Sequence, residues 1–357
     1  MFSTTPHATQ IFWRDANCDD YHTVPKQFFQ RGVAYASEHQ CSGADRKNIG
    51  GRQLAVILGY YNGESYLWEQ LHSIFNQTHR PSHIFISDDG SDTELCSESL
   101  GYHRHYSEKV SIGVRAANIG FANNFLNALS YVDEPFRYFA FSDQDDVWHS
   151  DKLEKALDSL EQYPEDQPAL YCARTLVTDE TCNVIKGISP LFSKPPSFTN
   201  ALVQSIGGGN TMVFNKAARD LIVESSSNTE VVSHDWWCYQ IVSGAGGVVV
   251  YDQKPCLRYR QHTNNLIGAN KGWKARFIRI LGLLQGRFRS WNDINLSALV
   301  KHRSLLTQEN QNYLDNFVTA RRSNFIKRFF LSCRSGIHRQ TLFGNLGLLL
   351  GIIVNKV

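Results

Sequence analysis

The chain has 357 residues, enough for one large domain or two modest ones. Its formal net charge of +2 carries no polyanion-binding signature, which sets nucleic acid aside as a partner, and 42% hydrophobic with 20% charged residues excludes a disordered chain. The eight cysteines are spread along the chain without CxxC spacing, which fits neither a zinc site nor a dense disulfide framework and predicts reduced thiols in a cytosol.

Residues 1–50 show no apolar period and read as an extension without assigned chemistry. Met1 to Gln10 lack the basic start and apolar core of a secretory signal. Leu54 to Leu58 is a continuous apolar run, which predicts a strand buried on both faces. Its loop, Gly59 to Glu64, carries Tyr60 and Asn62. Tyr66, Leu67, Leu71, Ile74 and Phe75 then recur at helical spacing. A second strand, His83 to Ser87, runs into Asp88-Asp89-Gly90-Ser91-Asp92. Strand, helix, strand in this order predicts a parallel βαβ unit, with ligands off the carboxyl ends of the strands. The Asp88–Asp92 run has two readings: an Asx turn with a helix cap, or carboxylates that accept from a base N–H or a ribose hydroxyl. Neither GxGxxG nor GxxxxGK[ST] occurs, so neither a dinucleotide fold nor a P-loop is supported. Lys109 to Ile112 predicts a third strand. Asn118-Ile119-Gly120 then opens a helix over 121–132, either an ordinary start or one whose N–H groups meet a phosphate.

Tyr138 to Phe141 predicts a central buried strand, and Ser142-Asp143-Gln144-Asp145-Asp146-Val147-Trp148 follows it. Asp143 and Asp145 are two apart, so on an extended backbone they point to one side. Three adjacent acids repel one another unless something positive joins them. That suits a hard divalent cation, which takes oxygen ligands and often a phosphate. Asp145 or Asp146 can equally cap the helix that starts near Ser150. A helix over 151–162 and a hairpin of 170–178 with 183–186 come next. A loop with three prolines at 190–196 and a glycine turn, Gly207 to Gly209, then lead through Asn210 into a strand.

His234-Asp235-Trp236-Trp237 is a second constellation. Asp235 is a candidate general base for a hydroxyl, and tryptophan faces stack on sugars. The competing reading is a capped helix start with both tryptophans in the core. After a strand at 247–251, Arg258 and Arg260 can neutralise phosphate charge, and His262 can ligate a metal or bind a diphosphate. From Trp273 onward cations interleave with apolar residues, which predicts basic amphipathic helices. These either pack on the core or lie on an anionic membrane face. The apolar tail, Leu342 to Val354, is too short for a span of ~20 apolar residues.

Val56 to Gly63 with its Tyr-Asn-Gly turn, Ser87 to Asp92, Asn118-Ile119-Gly120, Ser142 to Trp148, His234 to Trp237 and Tyr259-Arg260-Gln261-His262 occur in this order over residues 53–268. Together they resemble a bacterial family 2 glycosyltransferase, of the branch that includes rhamnosyltransferases of cell-surface polysaccharides. The resemblance implies an α/β GT-A fold, a mixed sheet with flanking helices that holds a nucleotide-sugar at its strand ends, with a C-terminal helical region after it. The expected division is 1–50, 51–268 and 269–357. By position, Tyr60, Asn62, Asp88, Asp89 and Asn118 would hold the nucleoside part of the donor, and Asp143 would lie near its ribose. Asp145 and His262 would hold Mg2+ or Mn2+, with Arg260 at the leaving diphosphate. Asp235 would be the base of an inverting transfer, and Trp236, Trp237 and Asn210 would contact the acceptor. The implied partners are a nucleotide-diphosphate sugar and a glycan or lipid-linked acceptor at the inner membrane surface, so the protein is expected in the cytoplasm, peripheral on the cytoplasmic membrane face. Gln144 departs from the small residue many relatives carry. A nucleotidyltransferase needs a lysine in its first loop, which Gly59–Glu64 lacks, and a non-catalytic binding module would not need Asp235.

Overall fold

The structure, a computed structural model, describes residues 11–15, 51–93, 95, 109–262 and 286–357. Expectations for residues 1–10 and 16–50, for Cys18, Cys41 and Cys96, and for the segment 273–284 lie outside the described residues. In chain order the elements are β1 (Ile11–Asp15), β2 (Leu54–Tyr60), α1 (Glu64–Phe75), β3 (His83–Asp88), β4 (Val110–Arg115), α2 (Phe121–Tyr131), β5 (Tyr138–Ser142) and β6 (Val147–Trp148). Next come α3 (Lys152–Leu160), β7 (Ala169–Thr178), β8 (Ile185–Ile188), α4 (Phe198–Ala201), β9 (Val213–Asn215), α5 (Lys216–Ser226), α6 (His234–Gly244) and β10 (Val248–Tyr259). The C-terminal part is helical: α7 (Arg287–Lys301), α8 (Gln308–Arg321), α9 (Phe325–Arg334) and α10 (Leu342–Ile353).

The strands form one sheet in the order β1-β4-β3-β2-β5-β9-β7-β10-β6, with β8 pairing β7. β4, β3, β2 and β5 run parallel, and β9 is antiparallel to both of its neighbours, β5 and β7. This mixed sheet, with helices on both faces and its acidic loops at the ends of parallel strands, is the GT-A arrangement. The apolar run of β2 explains its central place. Leu54, Val56, Leu58 and Tyr60 face a core filled by Leu67, Leu71, Leu153 and Leu157. Ala55 and Ile57 face the opposite core, with Phe125, Phe139 and Trp237. The two-residue alternation of a strand feeds both cores at once.

Leu296, Leu299, Leu314, Phe317, Leu348 and Ile352 join that second core. The inner faces of α7, α8 and α10 therefore pack on the sheet domain, as one of the two sequence readings has it for this region, while α9 puts no apolar residue into that core. Among the described residues no helix is long and apolar enough to cross a membrane. The five described cysteines are free thiols, four of them buried.

Candidate active site

β5 ends at Ser142, and the chain turns sharply through Asp143 to Asp146 before β6 begins. That turn brings carboxylate oxygens of Asp143, Asp145 and Asp146 within 4.8 Å of one another. Burial, then the neighbouring Asp145 and Asp235, push Asp143 up to about 7. Asp146 is raised well above the usual range by burial and by the other two acids. Such mutual repulsion stands only where other groups hold the loop in place.

Three braces do so. Asn210 donates its amide to Asp146 at 2.6 Å, and the Arg260 backbone N–H donates to the other Asp146 oxygen at 3.3 Å. Lys152, fully buried, donates to the Asn210 carbonyl at 2.7 Å and lies 3.1 Å from the Trp148 ring centroid. Burial pulls its ammonium down to about 7. The Arg260 guanidinium donates to the Asp145 carbonyl at 2.7 Å, and to the Glu180 carbonyl and the Glu69 carboxylate. It also packs over Tyr66, whose hydroxyl donates to Glu180 at 2.6 Å.

Asp146 thus has both oxygens engaged, while Asp145 faces the His262 Nε2 at 2.7 Å. Asp143, Asp145 and His262 form an oxygen-rich set with one imidazole, and they fit a hard divalent ion such as Mg2+ or Mn2+. Carboxyls raised by burial and by one another's charge are what such an ion would relieve.

Asp235 sits in the first turn of α6 and is close enough to Asp143 to raise it. Its neighbour His234 is buried with neither ring nitrogen hydrogen-bonded. The ring stacks on Phe125 at 4.2 Å and meets Phe141 edge-on at 5.2 Å, and burial lowers it to about 4. Gly209 passes so close that a side chain there would start 2.0 Å from the His234 Nε2, which accounts for the glycine turn.

The nucleoside-side residues gather at the ends of β2 and β3, but they hold one another. Asn62, in a left-handed turn at φ 46°, donates to Asp92 at 3.0 Å and accepts from the Asp92 N–H at 2.9 Å. Asp88 accepts from both the N–H and the hydroxyl of Ser91, at 2.9 and 2.6 Å. Asp89 accepts from the N–H groups of Ile119 and Gly120 at 2.9 and 3.0 Å, and so fixes the loop that leads into α2. Asn118 is exposed, and its side chain accepts from the Gly120 N–H at 3.0 Å. Gln144 joins this cluster to the acidic loop. It accepts from the Tyr61 N–H at 2.7 Å and donates to the Tyr61 carbonyl at 3.1 Å.

Five assignments are corrected by this geometry. Tyr60 is 1% exposed and belongs to the core; Tyr61, half exposed, is the tyrosine of that loop at the surface. Arg260 is buried against the acidic loop and braces it, with its side chain turned to Glu69 and two carbonyls. Trp237 is fully buried and donates to the Ser225 hydroxyl at 3.2 Å. Trp236 is buried and donates to the Ala201 carbonyl at 2.7 Å. Neither indole offers a face for a sugar. Asn210 serves Asp146 from a buried position. Gln144, Lys152 and the Tyr66–Glu180–Glu69 group escaped the sequence reading. Lys152 had a signal, since it falls with Leu153, Ala156, Leu157 and Leu160 on the buried face of α3.

Residues 55–220 match the model of the family described as Glycosyl transferase family 2. A dTDP-rhamnosyl transferase, RfbG of Shigella flexneri, is 30% identical over 73% of this chain and 90% of its own length. The chain belongs to glycosyl transferase family 2. It is a glycosyltransferase of the rhamnosyltransferase-like kind. TuaG of Bacillus subtilis, named for teichuronic acid biosynthesis, is 27% identical over 62% of this chain and 83% of its own. Among solved structures, Staphylococcus aureus TarS residues 1–349 in complex with UDP-GlcNAc aligns with a TM-score of 0.47 at 11% identity, over 85% of this chain and 90% of that one. The mannosyltransferase PcManGT of Pyrobaculum calidifontis, in complex with GDP-Man and Mn2+, aligns at 0.44 and 14% identity, over 92% of each chain.

Proposed function

We propose that this glycosyltransferase moves a sugar, rhamnose by its likeness to RfbG, from a nucleotide diphosphate to a hydroxyl of a lipid-linked surface polysaccharide at a cytoplasmic membrane face. One observation carries the reading: three carboxylates within 4.8 Å at the end of β5, beside an acid on the first turn of α6. Asp143, Asp145 and His262 would hold Mg2+ or Mn2+, which supplies positive charge against the leaving diphosphate. Asp235 takes the proton of the acceptor hydroxyl as its oxygen attacks the anomeric carbon. The bond from that carbon to the diphosphate breaks on the opposite face, and its electron pair leaves with the diphosphate. One displacement inverts the configuration. Asn210, Lys152 and Arg260 keep the acidic loop in place, while Gln144 ties it to the Tyr61 loop. We keep 1–50, 51–268 and 269–357 as the working division of the chain.

The test is hydrolysis of a panel of nucleotide-sugars with and without Mn2+, with Asp145→Ala alongside. We expect turnover of one donor that needs the ion and falls by about 10³-fold in the variant. Equal turnover in the variant would end the metal assignment. Binding of donor with no turnover, even with a membrane-extract acceptor, would end the transferase reading.

A further inference from the structure

α10 packs Leu348 and Ile352 on the core, α9 lies against α8 and α10, and both turn large apolar side chains outward. On α9 these include Phe325, Ile326 and Phe330, and on α10 Leu342, Phe343 and Leu346. The spacings, i, i+1, i+5 and i, i+1, i+4, put each set on one helix face. Ile326 and Phe343 are each 80% exposed. Large apolar side chains grouped on one exposed helix face of a folded protein mark an interaction site.

The charge around it selects the occupant. From Arg321 to Val357 the chain carries seven Lys or Arg and no Asp or Glu, in a protein whose net charge is only +2. Lys327 and Arg334 are exposed beside the apolar face of α9, and the Arg334 guanidinium lies 5.8 Å from the Phe330 ring. Apolar groups with flanking cations match a bilayer whose headgroups are anionic. A second copy meeting the same face would set cation against cation.

The plate is also tied to the catalytic side. The α9–α10 connection is fastened to the segment around α4. Asn200 donates to the His338 carbonyl at 2.8 Å, Gln340 N–H to Gln204 at 2.9 Å, and Arg339 to the Val203 carbonyl at 3.0 Å. α4 is in turn fastened to α6, the helix that bears Asp235. Tyr239 donates to Asn200 at 3.0 Å, and Trp236 donates to the Ala201 carbonyl at 2.7 Å.

We infer that α9 and α10 form a plate that lies flat on an anionic lipid bilayer, and that the α4 fastening fixes the height of Asp235 above the lipid. The inference rests on the proposed reading that the acceptor is lipid-linked. It goes further by naming the docking face and its link to the base. A lipid-linked hydroxyl then reaches Asp235 from a fixed level.

The test is flotation of the full chain with vesicles of phosphatidylglycerol and phosphatidylethanolamine, against vesicles of phosphatidylcholine alone. The wild type is expected to float with the anionic vesicles and to be released by salt. The triple variant Ile326→Ser, Phe330→Ser, Phe343→Ser is expected to lose at least about tenfold in partitioning, and Lys327→Gln with Arg334→Gln about tenfold at low salt. Hydrolysis of soluble donor should be unchanged in both, which separates this inference from the transferase reading. If no protein hydrolyses any donor, that reading fails while flotation still decides the plate. Wild type that floats with neither vesicle overturns the inference, as does a triple variant that floats like wild type. A dimer seen by light scattering and abolished by the triple variant overturns it in favour of a second copy.

Discussion

Two acidic clusters sit at the ends of β3 and β5, parallel strands on either side of β2, and they are built in different ways. At the end of β3, Asp88 and Asp89 each accept two hydrogen bonds from the protein itself, and Asn62 pairs with Asp92. At the end of β5, Asp143, Asp145 and Asp146 converge within 4.8 Å. Both clusters are rich in aspartate and both follow a strand. The first is hydrogen-bonded within itself and shapes a loop, although burial still raises Asp88 and Asp89. The second stores repulsion and is held by braces from outside. Acid content alone does not mark a site; what matters is whether the protein has already answered the charges.

The sharpest way to break this contrast is to remove a brace. Arg260→Met deletes the donor to the Asp145 and Glu180 carbonyls and leaves Glu69 unpaired. We expect a loss of about 3 kcal/mol in denaturant melts and a weakened Mn2+ affinity by calorimetry. An unchanged melt would mean that the acidic loop holds itself.

Neutralising one acid in each cluster should then act in opposite directions. Asp89→Ala leaves the Ile119 N–H without its acceptor and the Gly120 N–H with Asn118 alone, and should cost about 2 kcal/mol. Asp143→Asn should instead raise the melting temperature of the metal-free protein. The sign follows from burial and the neighbouring acids, which hold the folded carboxyl at about 7 against its ordinary value of 3.8. Between those values the folded state binds more protons than the unfolded one, so its stability falls as pH rises. The gain from Asp143→Asn is absent below pH 4 and complete above pH 7, and excess Mn2+ should cancel it. Melts across that range, with and without the ion, read out both claims. A gain that does not vary with pH would refute the repulsion account.

How much of this was legible follows from range. β2, β3 and β5 were readable because Leu54–Leu58, His83–Ser87 and Tyr138–Phe141 are short apolar runs bounded by turn residues, a local signal. The acidic loop was readable for the same reason. The partners of Asp89 were not, since they are backbone amides some thirty residues away that any sequence supplies. Arg260 was misread because its cationic neighbourhood is visible in sequence, whereas its contact with Glu69 across 191 positions is not. β6, only two residues long, has too little pattern to detect. The outward faces of α9 and α10 were half legible. Periodicity revealed amphipathic helices, but not which of their two apolar sides the core would take.

The smallest effect tests the tryptophans. α6 is buried from Trp236 to Gly244, so it shows no amphipathic period, and a helix without one hides which side meets ligand. Trp236→Phe keeps a ring against Phe288, whose centroid lies 6.3 Å away, and deletes only the indole N–H bond to the Ala201 carbonyl. That carbonyl keeps the Gln240 amide at 3.1 Å, so it is not orphaned. The loss should therefore be about 1 kcal/mol. If the indole is a core strut, the acceptor KM stays put and only the melt moves. If it stacks on the acceptor sugar, KM rises while the melt stays put, because a ring that faces solvent contributes little to folding. The two readouts move in opposite patterns, so one variant separates a wall of the core from a floor of the acceptor site.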